Sequence, residues 1–267
     1  MGVQNRCPVA GARGMMRLGT RGSRLALVQA RLVADALDEA EIVPITTAGD
    51  RDRTAGRFDQ IGDGRGVFTR EIERALLAGE VDAAVHSAKD LTGEMPPGLV
   101  VAALLERDDP RDAVCGPFAA LDEIPDGARI GTSSVRRGAL LRELRPGLEV
   151  VPLRGNVDTR LRKLDEGAAD AIVLAAAGLR RLGLADRIAF LLDPQVFVPE
   201  AGQGAIAVQV REGEEDLVSG LDHASTRRAV EAERAFAASV GGGCDVPVAA
   251  YAWEGDDGLE LCTWVAR

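Results

Sequence analysis

The sequence predicts an α/β protein of two lobes joined by paired crossing segments, with a small α+β unit at the C-terminus. Strand-like and helix-like segments alternate along the chain, which is typical of parallel sheets with helices on both faces. The acidic, proline-containing segment Glu106–Arg111 separates two such series, and the strand-like segment Ala205–Val210 follows the second. We therefore expect Ala205–Val210 to rejoin the first sheet, which places a cleft between the lobes.

The first lobe begins with an amphipathic helix. Apolar residues recur at intervals of three and four after Ser23, and serine is a favourable N-cap. Gly79 is placed to end a second helix. The other segments predicted for this lobe are the strands Ile42–Thr47, Val81–His86 and Leu99–Leu105, the glycine-rich loop Phe58–Gly66 and the helix Phe68–Ala78.

The second lobe repeats the alternation of strand and helix. Its predicted strands are Arg129–Gly131, Glu149–Leu153 and Asp170–Ala175, and its predicted helices are Val135–Leu144 and Val157–Leu164. The third unit has the helix Ser225–Val240 and the strands Val246–Trp253 and Leu259–Val265, which flank a Glu-Gly-Asp-Asp-Gly turn. One helix and one hairpin form a small core, so we expect this unit to be shortened at its C-terminal end.

Composition excludes several functional classes. The 267 residues carry a formal net charge of −10 and are 3% aromatic, a balance unlike that of nucleic-acid-binding domains. No apolar run approaches the roughly 20 residues that a membrane span needs, and the N-terminus lacks the apolar core of an export signal. Two histidines and the absence of Cys-x-x-Cys spacing leave little material for a metal site. We expect a cytoplasmic protein with reduced cysteines and no nucleic-acid, membrane or metal partner, and, without a long apolar interface helix, a monomer.

Positive charge is concentrated in one part of this acidic chain. Residues 129–163 hold nine basic and three acidic side chains. Arg136 and Arg137 lie in the first turn of a predicted helix, after Thr132-Ser133-Ser134, and Arg160 lies in the first turn of the next, behind Arg154 and the predicted cap Asn156. Helix N-termini and guanidinium groups together suit a multiply charged anion, carboxylate or phosphate alike. The alternative is a pair of capped helices with solvated faces.

Three further segments have both a functional and a structural interpretation. Lys89, one of only two lysines, lies beside Asp90 after an apolar strand and can be a Schiff-base lysine, an anion contact or a surface ion pair. His86 is favoured as a hydrogen-bonded core histidine. The turn Thr20–Ser23 is either an anion site or a simple cap. Cys244 follows three glycines, an open setting for a covalent anchor, although the inert interpretation is favoured for an isolated cysteine.

Taken together, these segments resemble the porphobilinogen deaminase (hydroxymethylbilane synthase) family. The matching motifs run in family order from about residue 17 onwards. They are Thr20-Arg21-Gly22-Ser23-Arg24-Leu25-Ala26-Leu27, Val85-His86-Ser87-Ala88-Lys89-Asp90, Gly131-Thr132-Ser133-Ser134-Val135-Arg136-Arg137, Leu153-Arg154-Gly155-Asn156-Val157-Asp158-Thr159-Arg160, the segment 174–184, Gly202-Gln203-Gly204-Ala205 and Gly243-Cys244-Asp245-Val246-Pro247.

The resemblance implies two lobes like those of periplasmic binding proteins and a small third domain. We expect a disordered extension at 1–16, domain 1 at 17–107 and 200–221, domain 2 at 108–199 and domain 3 at 222–267. The implied enzyme is a transferase that condenses four molecules of porphobilinogen head to tail, with loss of ammonia at each addition, and releases hydroxymethylbilane for tetrapyrrole (haem) biosynthesis. The implied cofactor is a dipyrromethane made from substrate and held by a thioether to Cys244.

The resemblance also assigns roles to individual residues. Asp90 matches the carboxylate that orients pyrrole N–H groups, stabilises the cationic azafulvenium and passes protons. Each porphobilinogen brings an acetate and a propionate, and arginine forks suit carboxylates. The implied cofactor contacts are Ser87, Lys89, Asp90, Thr132, Ser133, Ser134, Arg136, Arg137, Arg154, Gly155, Arg160 and Cys244. The implied substrate contacts are Arg21, Ser23, Arg65, Phe68, Arg154, Arg160 and Arg181. A Schiff-base role for Lys89 is disfavoured by this match.

The sequence departs from the family pattern in two places. The loop Gln60–Phe68 has one extra residue, with Arg65 where a lysine is usual; we expect it to act as a lid that places Arg65 and Phe68 over the cofactor. The chain also ends early, so we expect either a truncated sequence or a shortened homologue that binds pyrrole carboxylates with little turnover. A separate alternative is a non-enzymatic two-lobed protein that binds small anions and needs neither Cys244 nor Asp90.

Overall fold

The computed structural model describes residues 15–37, 40–47, 69–91, 95–241 and 247–266. The helices are α1 (Arg24–Asp35), α2 (Arg70–Leu77), α3 (Val135–Leu144), α4 (Val157–Asp165), α5 (Ala176–Arg181) and α6 (Ala224–Ser239). The strands are β1 (Met16–Arg21), β2 (Ala40–Ile45), β3 (Ala83–Ser87), β4 (Leu99–Leu104), β5 (Asp112–Cys115), β6 (Arg129–Gly131), β7 (Glu149–Val151), β8 (Ala171–Ala175), β9 (Phe190–Leu191), β10 (Ile206–Arg211), β11 (Val248–Gly255) and β12 (Gly258–Val265). No helix in these ranges is both long enough and apolar enough to span a bilayer.

Lobe 1 is built on a five-stranded sheet of order β2-β1-β3-β10-β4. On one face, Ala30 and Val33 of α1 pack on Leu18 and Val85 of the sheet. On the other face, α2 contributes to a second apolar cluster beneath the same sheet. The predicted return of the chain to the first sheet is confirmed, because β10 lies between β3 and β4. Met16, which the prediction placed in the disordered extension, instead belongs to β1 and pairs with Ala40.

Lobe 2 is built on a second five-stranded sheet, of order β7-β6-β8-β5-β9. Its helices again lie on both faces: α3 supplies Leu140 and Leu141 to one apolar cluster, and α4 supplies Leu161 to another. The strand β6 and the helix α3 have the predicted bounds. The prediction of two α/β lobes is therefore confirmed.

The predicted parallel pairing is present in both sheets, but each sheet also contains antiparallel pairs. β10 runs antiparallel to β3 and β4, and β5 runs antiparallel to β8 and β9. The cause is the pair of crossing segments, 105–111 and 192–205, which lie side by side: the amide of Asp108 donates to Gly204 O at 3.3 Å. Because the chain leaves lobe 1 through β4 and returns beside it through β10, the two strands run in opposite directions.

Glycine is required where the crossing segments touch. Gly204 has φ +91°, and a Cβ at this position would lie 2.5 Å from the carbonyl oxygen of Asp108. Gly202 has φ +76°, and its Cβ would lie 3.1 Å from the backbone of Ala88 and Lys89. The motif Gly202-Gln203-Gly204 therefore packs the returning segment directly on the backbone of its neighbours.

The third unit packs α6 on the antiparallel hairpin β11–β12 and holds both against the crossing segments. The carboxylate of Glu233, fully buried on α6, accepts hydrogen bonds from Arg107 Nη1 at 2.6 Å, Gly202 N at 2.7 Å and Ala252 N at 2.8 Å. The indole of Trp264 donates to Glu143 of lobe 2 at 2.9 Å. This unit therefore gains through contacts with both lobes the burial that its own small core lacks.

Candidate active site

An open cleft with a cavity volume of about 50 Å³ lies where β1 and β3 of lobe 1 end and α1 begins. Four residues predicted from separate motifs line it: Arg21, Ser23, Ser87 and Asp90. Parallel strands such as β1 and β3 end at the same edge of their sheet, which is where open α/β sheets bind ligands. The topology therefore joins two motifs that are more than 60 residues apart in sequence.

The local fold fixes the walls of this cleft. Ser23 is the N-cap of α1, and its Oγ accepts from the amide of Ala26 at 3.3 Å. β3 ends at Ser87 and continues as a single 3-10 turn, Ala88–Asp90, which turns Asp90 toward the cleft. Ser23 is therefore both the predicted N-cap of α1 and a residue that lines the cleft.

Sequence reasoning missed Gln29, a further polar residue of this wall. Gln29 is 4% exposed and is hydrogen-bonded to Ser87, with Nε2 to Oγ at 2.9 Å and Oγ to Oε1 at 3.1 Å. The signal was present in the sequence, because Gln29 adjoins Ala26 and Ala30 on the apolar stripe of α1, where a long amide side chain needs a buried partner. The pair of bonds fixes the Ser87 hydroxyl at the cleft.

Lys89 is not the surface ion pair with Asp90 that spacing alone favours. Its side chain is 23% exposed, and Nζ lies 3.3 Å from Gln203 Oε1 and 3.9 Å from Glu200 Oε2. Burial lowers the pKa of this ammonium below its ordinary value, although the charge of Glu200 opposes the change. Lys89 therefore reaches from lobe 1 to the returning crossing segment.

In lobe 2, Arg136 and Arg137 are buried against one carboxylate. Asp112 is fully buried at the start of β5, with Oδ2 2.8 Å from Arg136 Nη1 and Oδ1 2.7 Å from Arg137 Nη2. Burial acts to raise the pKa of Asp112, but the charges of Arg136 and Arg137 outweigh it and lower this pKa to about 2. Gln203 completes the cluster, because its Nε2 donates to Asp112 Oδ1 at 3.0 Å. Neither Asp112 nor Gln203 was predicted as a site residue.

Arg136 and Arg137 differ in how many of their guanidinium nitrogens have a hydrogen-bond partner. Arg137 donates from Nε to Asp112, from Nη1 to Val173 O at 3.2 Å and from Nη2 to Gln203 at 3.3 Å. Arg136 donates from Nη1 to Val198 O at 2.8 Å, whereas its Nε and Nη2 are buried and have no hydrogen-bond partner among the described residues. Arg136 therefore keeps two guanidinium nitrogens that are shielded from solvent and form no hydrogen bond to the described residues.

The remaining predicted residues of lobe 2 lie at the ends of its strands. Ser134 caps α3, with Oγ accepting from Arg137 N at 3.3 Å, and Thr132 Oγ1 accepts from Ser134 N at 3.2 Å. Ser133 and Arg154 are exposed. Asn156 occupies the N-cap position of α4, but its side chain makes no capping hydrogen bond, so that part of the prediction is wrong.

Two further arginines of the prediction have backbone partners. Arg160 Nε donates to Gly155 O at 2.9 Å, across a turn in which Gly155 has φ +132°. Arg181, whose side chain is 8% exposed, donates from Nη2 to Gly204 O at 2.6 Å and lies 3.5 Å from Asp108. Arg181 is thereby attached to the two crossing segments.

Some predicted residues cannot be placed. Arg65, Phe68, the loop around them, Cys7 and Cys244 lie outside the described residues. Of the other cysteines, Cys115 is buried, and burial raises the pKa of its thiol to about 11; burial also raises the pKa of the Cys262 thiol. Both effects favour an inert thiol.

Comparison with known proteins identifies the family. A family model described as "Porphobilinogen deaminase, dipyromethane cofactor binding domain" matches residues 16–219, and one described as "Porphobilinogen deaminase, C-terminal domain" matches residues 227–267. The porphobilinogen deaminase of Roseiflexus castenholzii is 52% identical over 258 residues, which cover 92% of this chain and 84% of the relative. The porphobilinogen deaminase of Syntrophus aciditrophicus is 48% identical over 256 residues, which cover 92% of this chain and 83% of the relative.

Several solved structures match the chain at lower similarity. The methionine binding protein MetQ is 15% identical with a TM-score of 0.46 and covers 85% of this chain and 94% of its own. A nutrient binding protein from Burkholderia cenocepacia, bound to methionine, is also 15% identical, with a TM-score of 0.45. The match covers 85% of this chain and 97% of the binding protein.

The matches to family models span both lobes and the C-terminal unit, and the relatives are close to half identical over nine-tenths of the chain. The two lobes therefore form the dipyrromethane-binding part of a transferase, and the α6–hairpin unit is its C-terminal domain. On these grounds the chain belongs to the porphobilinogen deaminase family.

Proposed function

We propose that each porphobilinogen reacts in the open cleft of lobe 1, with Asp90 as the catalytic carboxylate. The observation that carries this proposal is the meeting of Asp90 with Arg21 and Ser23 in one cleft at the strand ends. A pyrrole nitrogen offers only an N–H donor, so an acceptor must orient it, and a carboxylate also stabilises the positive charge that develops when the amine leaves. Asp90 is the lining residue that supplies both an acceptor and a negative charge.

The residues of this chain suit a dipyrromethane. When bound, the dipyrromethane supplies a free pyrrole α-carbon, to which the aminomethyl carbon of the substrate is joined. Its acetate and propionate groups match the two unpartnered donors of Arg136, and the exposed Arg154 and Ser133 offer further contacts at the same strand ends. Arg137, Gln203 and Lys89 would hold that region in place, because they form hydrogen bonds with one another and with Asp112.

The remaining assignments come from the motif match. They include the thioether to Cys244, the lid role of Arg65 and Phe68, and the carboxylate contacts of Ser87, Thr132, Ser134, Gly155, Arg160 and Arg181. The same proposal divides the chain into domain 1 (17–107 and 200–221), domain 2 (108–199) and domain 3 (222–267). It also describes a cytoplasmic monomer that takes porphobilinogen as its small-molecule partner.

Intact mass and turnover test the proposal together. The protein should carry the mass of a dipyrromethane, and Cys244→Ser should lose it. Asp90→Ala should keep the adduct but lose about a hundredfold or more in the rate of hydroxymethylbilane formation, because general acid–base and electrostatic assistance are each of that order. Asp82→Ala is the matched control: Asp82 lies in the same lobe but is paired with Arg17, away from the cleft, and should keep the rate.

Two results would contradict the proposal. A near-normal rate for Asp90→Ala would remove Asp90 from catalysis. Unmodified protein that binds porphobilinogen without releasing ammonia, made in cells with a working haem pathway, would support the small-anion-binding alternative instead.

A further inference from the structure

A buried polar chain lies behind the cleft on the α2 side of the lobe 1 sheet. His86 is 5% exposed and lines the cleft, and its Nε2 lies 3.2 Å from Gln209 Oε1. Gln209 is fully buried on β10, and its Nε2 lies 3.4 Å from Glu73 Oε1 and 3.6 Å from Met95 Sδ. The catalytic roles proposed above use none of these residues.

The chain fixes which nitrogen of His86 carries the proton. A carboxylate and a thioether only accept hydrogen bonds, so the amide nitrogen of Gln209 must face Glu73 and Met95. The amide oxygen then faces His86, and Nε2 must donate to it. Nδ1 is therefore the unprotonated nitrogen, and it has no hydrogen-bond partner among the described residues. His86, which lines the cleft, thus has one neutral acceptor, Nδ1, that no described residue engages.

The other neutral acceptors of the cleft wall are already engaged or covered. Gln29 and Ser87 bond each other, Ser23 caps α1, and the Thr69 hydroxyl is buried without contact to solvent. Porphobilinogen carries two carboxylates, a pyrrole N–H and an aminomethyl group that is an ammonium at neutral pH. The arginines suit the carboxylates and Asp90 suits the pyrrole N–H, so the ammonium is the group that still needs an acceptor.

We propose that Nδ1 of His86 accepts a hydrogen bond from the aminomethyl ammonium of porphobilinogen and positions this leaving group; the inference rests on the cleft of lobe 1 being the reaction site. In the step it assists, the C–N bond of the aminomethyl group breaks, the nitrogen keeps the bonding pair and departs as ammonia, and the positive charge passes to the pyrrole as an azafulvenium. A neutral acceptor holds the ammonium without forming the ion pair that would stabilise it against departure.

The environment of His86 supports this role. Burial lowers the pKa of His86 to about 4, the charge of Arg21 acts in the same direction, and the bond to Gln209 opposes them. At neutral pH the imidazole therefore accepts a hydrogen bond without taking the proton, which must stay on nitrogen until the C–N bond breaks. A histidine with an ordinary pKa near 6.5 would be protonated in part of the population and would repel the ammonium.

Nuclear magnetic resonance tests the protonation state directly. The chain has two histidines, His86 and His223, so a His223→Gln variant assigns the ring signals. In long-range ¹H–¹⁵N spectra of the holoenzyme, His86 should show a protonated Nε2 and a bare Nδ1 from pH 8 to pH 5. Adding porphobilinogen to the slow Asp90→Ala holoenzyme should shift the Nδ1 resonance. A protonated Nδ1, or no shift on binding, would overturn the inference.

A matched pair of substitutions separates a ligand contact from a core contact. In His86→Gln, the new side chain can still form the hydrogen bond to Gln209 but has no acceptor at the position of Nδ1. In His86→Asn, the shorter side chain places its oxygen near the position of Nδ1 but loses the hydrogen bond to Gln209. We expect kcat/KM to fall about ten- to hundredfold in His86→Gln, the range for a hydrogen bond to a charged group, and to fall less in His86→Asn.

Stability should follow the opposite order, with His86→Asn unfolding at the lower temperature because its bond to Gln209 is lost. If His86→Asn has the lower kcat/KM as well as the lower unfolding temperature, His86 is only a core residue and the inference fails. A normal rate in His86→Gln beside an inactive Asp90→Ala would reject this inference and leave the proposed reaction site intact.

Discussion

Each lobe places a hydroxyl-rich turn and arginine at the start of a helix, yet the arginines lie in different surroundings. The caps are the same, with Ser23 Oγ and Ser134 Oγ each accepting a backbone amide at 3.3 Å. Arg21 precedes its cap and lines the open cleft, whereas Arg136 and Arg137 follow theirs and are buried on Asp112. A shared local motif therefore fixes the backbone, and the position of an arginine relative to the cap decides whether it faces a cleft or the interior.

The largest expected effect comes from removing the carboxylate of lobe 2. Asp112→Ala leaves Arg136 and Arg137 buried without their counter-charge, which should lower the free energy of unfolding by about 3–5 kcal/mol. Urea unfolding followed by circular dichroism measures it. Asp82→Ala in lobe 1 is the control and should lose far less, because Asp82 and its partner Arg17 are partly exposed. Equal losses in the two variants would show that burial does not distinguish these ion pairs.

Acid should weaken the same cluster. The pKa of Asp112 is about 2 in the folded protein against an ordinary 3.8, so its charge stabilises the fold above about pH 4 and is lost as the pH falls toward 2. The advantage of the wild type over Asp112→Asn that arises from this charge, about 2 kcal/mol, should shrink over that window. Urea midpoints for both proteins at pH 6, 4 and 3 test this. A difference that stays constant across these values would contradict the assigned pKa.

Substituting one glycine in each lobe should give a smaller difference in stability. Gly155 has φ +132°, and a Cβ there would lie 2.7 Å from the Thr159 side chain; at Gly22 a Cβ would meet nothing within 4 Å. Gly155→Ala should therefore lower stability by about 1–3 kcal/mol, whereas Gly22→Ala should change it by less than about 0.5 kcal/mol. Thermal unfolding midpoints compare the pair. If the two variants melt alike, the turn before α4 is less constrained than its backbone indicates.

Local features of the fold could be predicted from the sequence. Hydrophobic periodicity located α1, the alternation of strand and helix located α3 and α4, and the N-cap Ser23 was predicted from residue type. Boundaries were less accurate where pairing decides them: the predicted strand Ile42–Thr47 is Ala40–Ile45, because it ends where β1 ends. In the site, Asp90 and the arginines of lobe 2 were found because motifs in register with a known family contain them.

The long-range partners could not be predicted in this way. Asp112 is 25 residues from Arg137 in sequence, Gln29 is 58 residues from Ser87, and Glu233 is 126 residues from Arg107. Nothing near any of these residues in the chain indicates its partner, because a buried polar group is satisfied by whichever segment the topology brings beside it.

By itself, the sequence determined the alternation of strand and helix, the helix caps and the chemistry available at the strand ends, because these depend on neighbouring residues. Only the tertiary structure decided which strands run antiparallel, which arginines are buried and which nitrogen of His86 can accept a hydrogen bond. Those properties depend on burial and on the crossing of the chain between the lobes, which place Gln209, Asp112 and Gln203 beside residues far from them in sequence.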